Sequence, residues 1–213
     1  MTDFQREVTR IALAAASQHG FALGGGQALV AHGVVSRPTE DIDLFADADG
    51  AVQAALSPVQ AALSYVGMEV SAMPEDSDLG EMFGGFQNDF AEFEVRRGDE
   101  SVKLTLARFD RRLDPVDTPI GPVLHIDDVI GSKVAAMATR AEPRDYVDVA
   151  AALDAFSRME LLAMAGQSDP ALTADEVAES MRALDQLPDA AFHIWIDPAR
   201  VADLRARFDD WPR

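Results

Sequence analysis

Two acidic residues on one short strand, set behind a glycine-rich turn, constrain this chain more than any other feature. Asp41-Ile42-Asp43-Leu44-Phe45 alternates polar and apolar residues as a half-buried strand does. In a strand, residues i and i+2 point the same way, about 6.6 Å apart. Asp41 and Asp43 therefore aim two carboxylates at one divalent cation, while Ile42 and Leu44 face a core. Hard oxygen donors suit Mg²⁺ or Mn²⁺, which are held by one or two carboxylates together with substrate phosphates. Upstream, Gly24-Gly25-Gly26 breaks the chain before a small helix predicted over Gln27 to His32. Gly25 and Gly26 let backbone N–H groups approach a triphosphate, and the helix opening at Gln27 adds its positive end. A lone D-x-D is also an ordinary polar strand edge, and a glycine triplet an ordinary turn. Together they join a phosphate cradle to the metal pair that would bridge those phosphates.

Composition bounds the rest. The 213 residues suffice for one domain, or one plus a small appendage, with a full apolar core. With no cysteine, disulfides, thiolate zinc sites and thiol catalysis are excluded. Eighteen Lys and Arg against 37 Asp and Glu give a net charge of −19, which argues against a broad nucleic-acid surface but not against a local basic groove. No secretory leader or membrane-length apolar run is evident, so the expectation is a soluble, cytoplasmic protein without a membrane partner. Lysine occurs only at Lys103 and Lys133, so each asks for a reason.

Pattern and punctuation predict helices over Phe4 to His19 and about 51–65, and strands at 21–23, 41–45 and 67–72. Pro74 to Gly85 reads as an acidic, glycine-rich loop. Phe90 to Arg96 and Val102 to Phe109 read as a hairpin turning at Arg97-Gly98-Asp99-Glu100. Helices are then expected from Asp127-Asp128 to about Arg140 and from Arg144 to Phe156, with Asp148 sharing a face with Arg144 or Asp145. The remainder reads as helical, with a capping box at Thr173 to Glu176 and a cap at Asp197-Pro198. The expected fold is α/β (α+β): a small mixed sheet flanked by helices over residues 1–120, then a helical region over 121–213 packed on it. Trp195 and the methionines read as core, and the scattered histidines do not suggest a metal site.

The glycine turn followed by D-x-D resembles the minimal nucleotidyltransferase superfamily. More closely, GGQALVAHGVVSRPTEDIDLF resembles the AbiEii/AbiGii toxin family of nucleotidyltransferases, which includes the MenT-type toxins: a Gly-Gly-x-Ala-Leu helix, Arg-x-Thr, then D-I-D-L. A second match is Lys133-x-x-Ala136 followed by Arg140 through Asp148. The resemblance implies that Arg37, Thr39 and Gln27 lie beside the nucleotide, that Lys133 binds its phosphates as a compact point charge, and that Asp148 orients or activates the acceptor hydroxyl or positions Lys133. Asp145 is either a further acid of this group or its own helix's cap. The implied reaction transfers a nucleoside monophosphate from an NTP to an acceptor hydroxyl and releases pyrophosphate. The implied context is a type IV-like toxin–antitoxin or abortive-infection system, with tRNA 3′ ends as acceptor and an antitoxin as partner.

The chain departs from the superfamily where a third carboxylate is common on a neighbouring strand: Val102 to Ala107 offers Lys103 and Thr105 instead. The locally basic stretch 96–112 reads either as a modest phosphate track or as arginines paired with surface acids. A small-molecule acceptor of the aminoglycoside type, which suits an acidic surface, and a decayed nucleotide-binding protein are the alternative functions.

Overall fold

The computed structural model describes residues 1–73 and 88–213, so the loop expected over 74–85 lies outside the described residues. Contacts divide the chain into two compact units, Met1–Ala28 with Thr39–His125, and Leu29–Pro38 with Ile126–Arg213.

The first unit is a seven-stranded mixed sheet with two long helices, α1 (Asp3–Ala15) and α3 (Ala51–Tyr65). The strands are β1 (Ala22–Leu23), β2 (Ile42–Ala46), β3 (Glu69–Ala72), β4 (Phe90–Arg97), β5 (Glu100–Arg108), β6 (Val116–Thr118) and β7 (Gly121–Val123), in the order β3-β4-β5-β2-β1-β7-β6. β2 runs parallel to β5 and antiparallel to β1, and β4 and β5 form the expected hairpin. Gly98 supplies the left-handed backbone (φ 60°) that its tight turn needs. Alternation puts Ile42, Leu44, Leu104, Leu106 and Val95 in one fully buried row. Val8 and Ala12 of α1 and Val59 and Leu63 of α3 close that side of the core. The opposite face of β2, β4 and β5 carries Asp43, Glu92, Lys103 and Thr105.

The second unit is helical: α4 (Ile126–Arg140), α5 (Pro143–Ala152), α6 (Arg158–Ser168), α7 (Ala174–Gln186) and the short α8 (Val201–Ala206). Between the units in sequence runs α2 (Gly25–Ala31), which starts two residues earlier than the glycine triplet suggests because Gly25 and Gly26 join its first turn. α4 is central and packs on α5, α6 and α7. Gly131 permits the closest approach, since a Cβ there would lie 2.6 Å from the Met164 carbonyl oxygen of α6. Residues 159–213 complete this core: Leu161, Ala165, Met181, Leu184 and Phe208 are buried, Tyr146 donates to the Ser180 carbonyl at 2.6 Å, and its ring meets Phe208 edge-on. Burial pushes the Tyr146 hydroxyl pKa well above its usual value, with Asp145 and Asp185 adding to the shift, so this phenol stays a donor. At Asp197 the side chain accepts from the Ala199 amide as expected, but it caps a short 3₁₀ turn, and α8 begins only at Val201.

Candidate active site

In the first unit the glycine turn and the aspartates meet. The Gly24 amide donates to the Asp43 carbonyl at 2.8 Å, bringing the turn alongside β2. Gly25 has φ 57°, and a Cβ built on it would fall 1.9 Å from Asp43 Oδ2. Only glycine satisfies both demands, because a side chain would strain the backbone and displace the carboxylate. Gly26 occupies the next position of the same helical turn. Gln27 is buried and donates from Nε2 to the Thr39 carbonyl at 3.3 Å, an oxygen that also accepts from Gln5 at 2.8 Å. Among the described residues, Gln27 Oε1 and Thr39 Oγ1 are buried without a hydrogen-bond partner. Buried polar atoms are ordinarily satisfied, and an orphan beside a glycine turn is a place for a ligand atom.

Asp41 directly precedes β2, and Asp43 lies within it. The parallel register puts Asp43 opposite Thr105, and the hairpin register puts Thr105 opposite Glu92, so the three side chains share one sheet face in a row. Thr105 Oγ1 donates to Glu92 Oε1 at 3.4 Å. One step along, Lys103 Nζ stands 3.6 Å from Asp41 Oδ2 and 3.3 Å from Glu92 Oε1. Burial lowers the Lys103 pKa, but the carboxylates of Asp41, Glu92 and Asp43 outweigh it, and the net shift is upward. Glu92 was not singled out from the sequence. Its signal was the hairpin, whose tight turn fixes Glu92 opposite Thr105; the β2–β5 pairing that adds Asp43 to the row has no local signature.

This donor set fits a divalent cation. It offers two carboxylates on one face, a glycine that leaves Asp43 its room, and a local field that already draws an ammonium group to Asp41. Among the described residues no three His, Asp or Glu side chains converge closely enough to hold a metal alone. Water and substrate phosphates would complete its shell.

In the second unit Asp148, fully buried on α5, accepts from Arg37 through both oxygens, at 2.7 Å from Nε and 2.8 Å from Nη2. Lys133 Nζ of α4 stands 3.2 Å from Asp148 Oδ2. Two cations thus share one buried carboxylate, and a guanidinium fork matches it bidentately. The Arg37 guanidinium also lies 5.2 Å from the centre of the Trp195 ring, so Trp195 is a half-buried cation–π partner rather than core. Arg144 does not reach Asp148 across its helix turn; it pairs with Glu142 at 2.8 Å. Asp145, also buried, is held by Arg140 at 2.6 and 2.8 Å, which explains its burial without a capping role.

Most of the basic stretch 96–112 is occupied by acids. Arg96 meets Glu94, Arg97 meets Glu7, Arg108 meets Asp49, Asp89 and Asp110, and Arg111 meets Asp47. No helix among the described residues is long and apolar enough to cross a membrane.

Solved structures share this fold, three of them as follows. MenT4, a nucleotidyltransferase toxin from Mycobacterium tuberculosis H37Rv, is 18% identical, with 97% of this chain and 81% of that chain covered and a TM-score of 0.61. A putative nucleotidyltransferase from H. pylori is 15% identical, with 97% and 94% covered and a TM-score of 0.58. JHP933 from Helicobacter pylori is 16% identical, with 97% and 91% covered and a TM-score of 0.57. None of the curated proteins matches the chain. Residues 9–192 match the family described as nucleotidyl transferase AbiEii toxin, type IV TA system. The glycine turn, the strand carboxylates and the Lys133–Asp148–Arg37 cluster all fall within that match, and the chain belongs to the AbiEii family of nucleotidyltransferase toxins.

Proposed function

We propose that this nucleotidyltransferase is metal-dependent and moves a nucleoside monophosphate from an NTP to an acceptor hydroxyl, with tRNA 3′ ends as the acceptor and an antitoxin as its cognate partner in the cytoplasm. The observation that carries the reading is Gly25, whose missing side chain leaves room for the Asp43 carboxylate beside an open glycine turn. Asp41 and Asp43 hold Mg²⁺ or Mn²⁺, which supplies charge neutralisation at the phosphates. The amides of Gly25 and Gly26 lie against the triphosphate, and the unpartnered oxygens of Gln27 and Thr39 take hydrogen bonds at the nucleotide. Lys133 contributes a positive charge to the phosphates. Asp148 already engages two cations through its oxygens, which favours a positioning role for it, holding Lys133 and Arg37, over that of a base. The acceptor oxygen forms a bond to the α-phosphorus as the bond to the bridging α–β oxygen breaks. Pyrophosphate leaves with that electron pair, and the hydroxyl proton passes to solvent. Positioning and charge carry such a reaction without a covalent intermediate.

The test is transfer of label from each α-³²P NTP, with Mg²⁺, to total tRNA. Label on tRNA is expected with the wild type, and a loss of at least about a hundredfold with Asp41→Ala or Asp43→Ala. Wild-type turnover in either variant would remove the aspartates from the site. A second acceptor class, a small polycation of the aminoglycoside type, is favoured by one observation: Arg96, Arg97, Arg108 and Arg111 of the basic stretch are paired with acids in a chain of net charge −19. Label on such a compound in place of tRNA would move the protein to that class.

A further inference from the structure

The sheet face that carries Asp41 and Asp43 already holds a cation of its own. Lys103 Nζ lies between Asp41 Oδ2 at 3.6 Å and Glu92 Oε1 at 3.3 Å. Lys103 is one of two lysines in the chain, and it stands on the strand beside β2, where a third acid is common in enzymes of this chemistry. Glu92 sits on the next strand out and also accepts from Thr105, which fixes it at the far side of the ammonium. An ammonium and a divalent ion differ in what they ask of a carboxylate. Mg²⁺ requires oxygens at about 2.0–2.1 Å in a nearly octahedral shell, whereas Lys103 is content at hydrogen-bond range and at the rim of the site. With both at Asp41, two positive charges would compete for one oxygen.

Resting on the assignment of Asp41 and Asp43 as metal ligands, we propose that Lys103 is a built-in counter-cation that competes with the divalent metal at Asp41, and that Glu92 is the acceptor onto which Lys103 retreats when the metal binds. Glu92 then favours metal binding without being a ligand, by drawing the ammonium away from Asp41. The pair is a positioning device. In the resting protein it neutralises a carboxylate pair that would otherwise repel itself and approaching phosphates. Once nucleotide brings metal and negative charge together, it yields Asp41 to the ion.

The test is direct Mn²⁺ binding to the full-length protein without nucleotide, followed by electron paramagnetic resonance of the free ion, so that turnover plays no part. Lys103→Met keeps the apolar stem of the side chain as far as Cε and removes the ammonium group, and should tighten Mn²⁺ binding about tenfold. Glu92→Gln leaves Lys103 to Asp41 alone, and should weaken binding several-fold. In the double variant Lys103→Met/Glu92→Gln that weakening should vanish, because no ammonium remains to be parked. Unchanged or weaker binding by Lys103→Met overturns the proposal, as does an absence of measurable binding by both wild type and Lys103→Met. A Glu92→Gln loss that persists in the double variant also overturns it, and makes Glu92 a ligand instead. Asp41→Ala/Asp43→Ala serves as the separate control: if it binds Mn²⁺ like the wild type, the metal assignment itself fails, whatever Lys103 does.

Discussion

At the scale of single residues, the chain places its least replaceable atoms where charge has to be held still. Gly25 is one case. Gly25→Ala would adopt the left-handed backbone at a cost of roughly 1–2 kcal/mol and drive a methyl group into Asp43, which lies 1.9 Å from the position of that Cβ. Displacing a reacting group by about 1 Å can cost about a hundredfold in rate, so transfer activity should fall by that order while the far-ultraviolet circular dichroism stays that of the wild type. Asp148 is the other case. It is fully buried with Arg37 and Lys133 upon it, and Asp148→Ala would leave two cations without their carboxylate. Breaking a buried ion pair from one side costs about 3–5 kcal/mol, and the urea midpoint should drop accordingly. Lys133→Met combined with Asp148→Ala should cost less than the sum of the two single changes, since the double variant strands fewer charges. Gly25 is legible from the glycine turn itself and Asp148 through resemblance, but helix spacing alone suggests Arg144 or Asp145 as Asp148's neighbour. Spacing reports only local partners. Arg37 comes from far away in the chain, while Arg144 and Asp145 are engaged by Glu142 and Arg140.

At the scale of elements, what is encoded locally was readable and what is encoded by crossing was not. The α7 capping box at Thr173 and Glu176 could be read because all its groups lie within one turn, and the structure shows the reciprocal bonds at 2.7 and 3.2 Å. The hairpin of β4 and β5 was legible for the same reason. The β6–β7 hairpin was missed, because strands of three residues, one containing Pro122, carry no periodicity to detect. Two predictions belong here. Hydrogen bonds from Thr173 hold the Glu176 carboxyl below its ordinary 4.5, and those from Ser157 do the same for Glu160 of α6. A carboxyl whose folded pKa is depressed stabilises the fold above its unfolded pKa and ceases to do so as pH falls through the lower, folded value. The melting-temperature gap between the wild type and Glu160→Gln/Glu176→Gln should therefore be present at pH 7 and close progressively below about pH 4.5. At the crossing of α4 and α6, Gly131→Ala would press a methyl group onto the Met164 carbonyl, 2.6 Å away. Backbone cannot rotate aside as a side chain can. The expected cost is about 1–3 kcal/mol, seen as a lower urea midpoint with an unchanged slope.

At the scale of the whole molecule, charge decides how an acceptor arrives. A chain of net charge −19 repels a polyanion at a distance, and the arginines that read as a possible phosphate track are largely engaged by acids: Arg97 by Glu7, Arg111 by Asp47, Arg108 by three aspartates. Sequence could not decide between the two readings of that stretch, because which acid meets which arginine depends on the sheet order β5-β2-β1 and on loops brought together by it. Each phosphate neutralised by a protein cation adds about 0.9 to the slope of log affinity against log salt, so six to ten contacts would lose about 10³–10⁵ in affinity between 50 and 200 mM salt. With most of these arginines already paired, this protein should lose less than about tenfold in kcat/KM for tRNA over that range, the equivalent of one or two phosphates. For a small polycation the dependence has a different origin: attraction to the acidic surface is screened, and the decline should be larger for acceptors of higher charge. Measuring kcat/KM against salt for both acceptors checks this. A steep fall with tRNA would mean that the arginine–acid pairs open on binding and that the acids, rather than blocking the track, hold it closed until RNA competes for it.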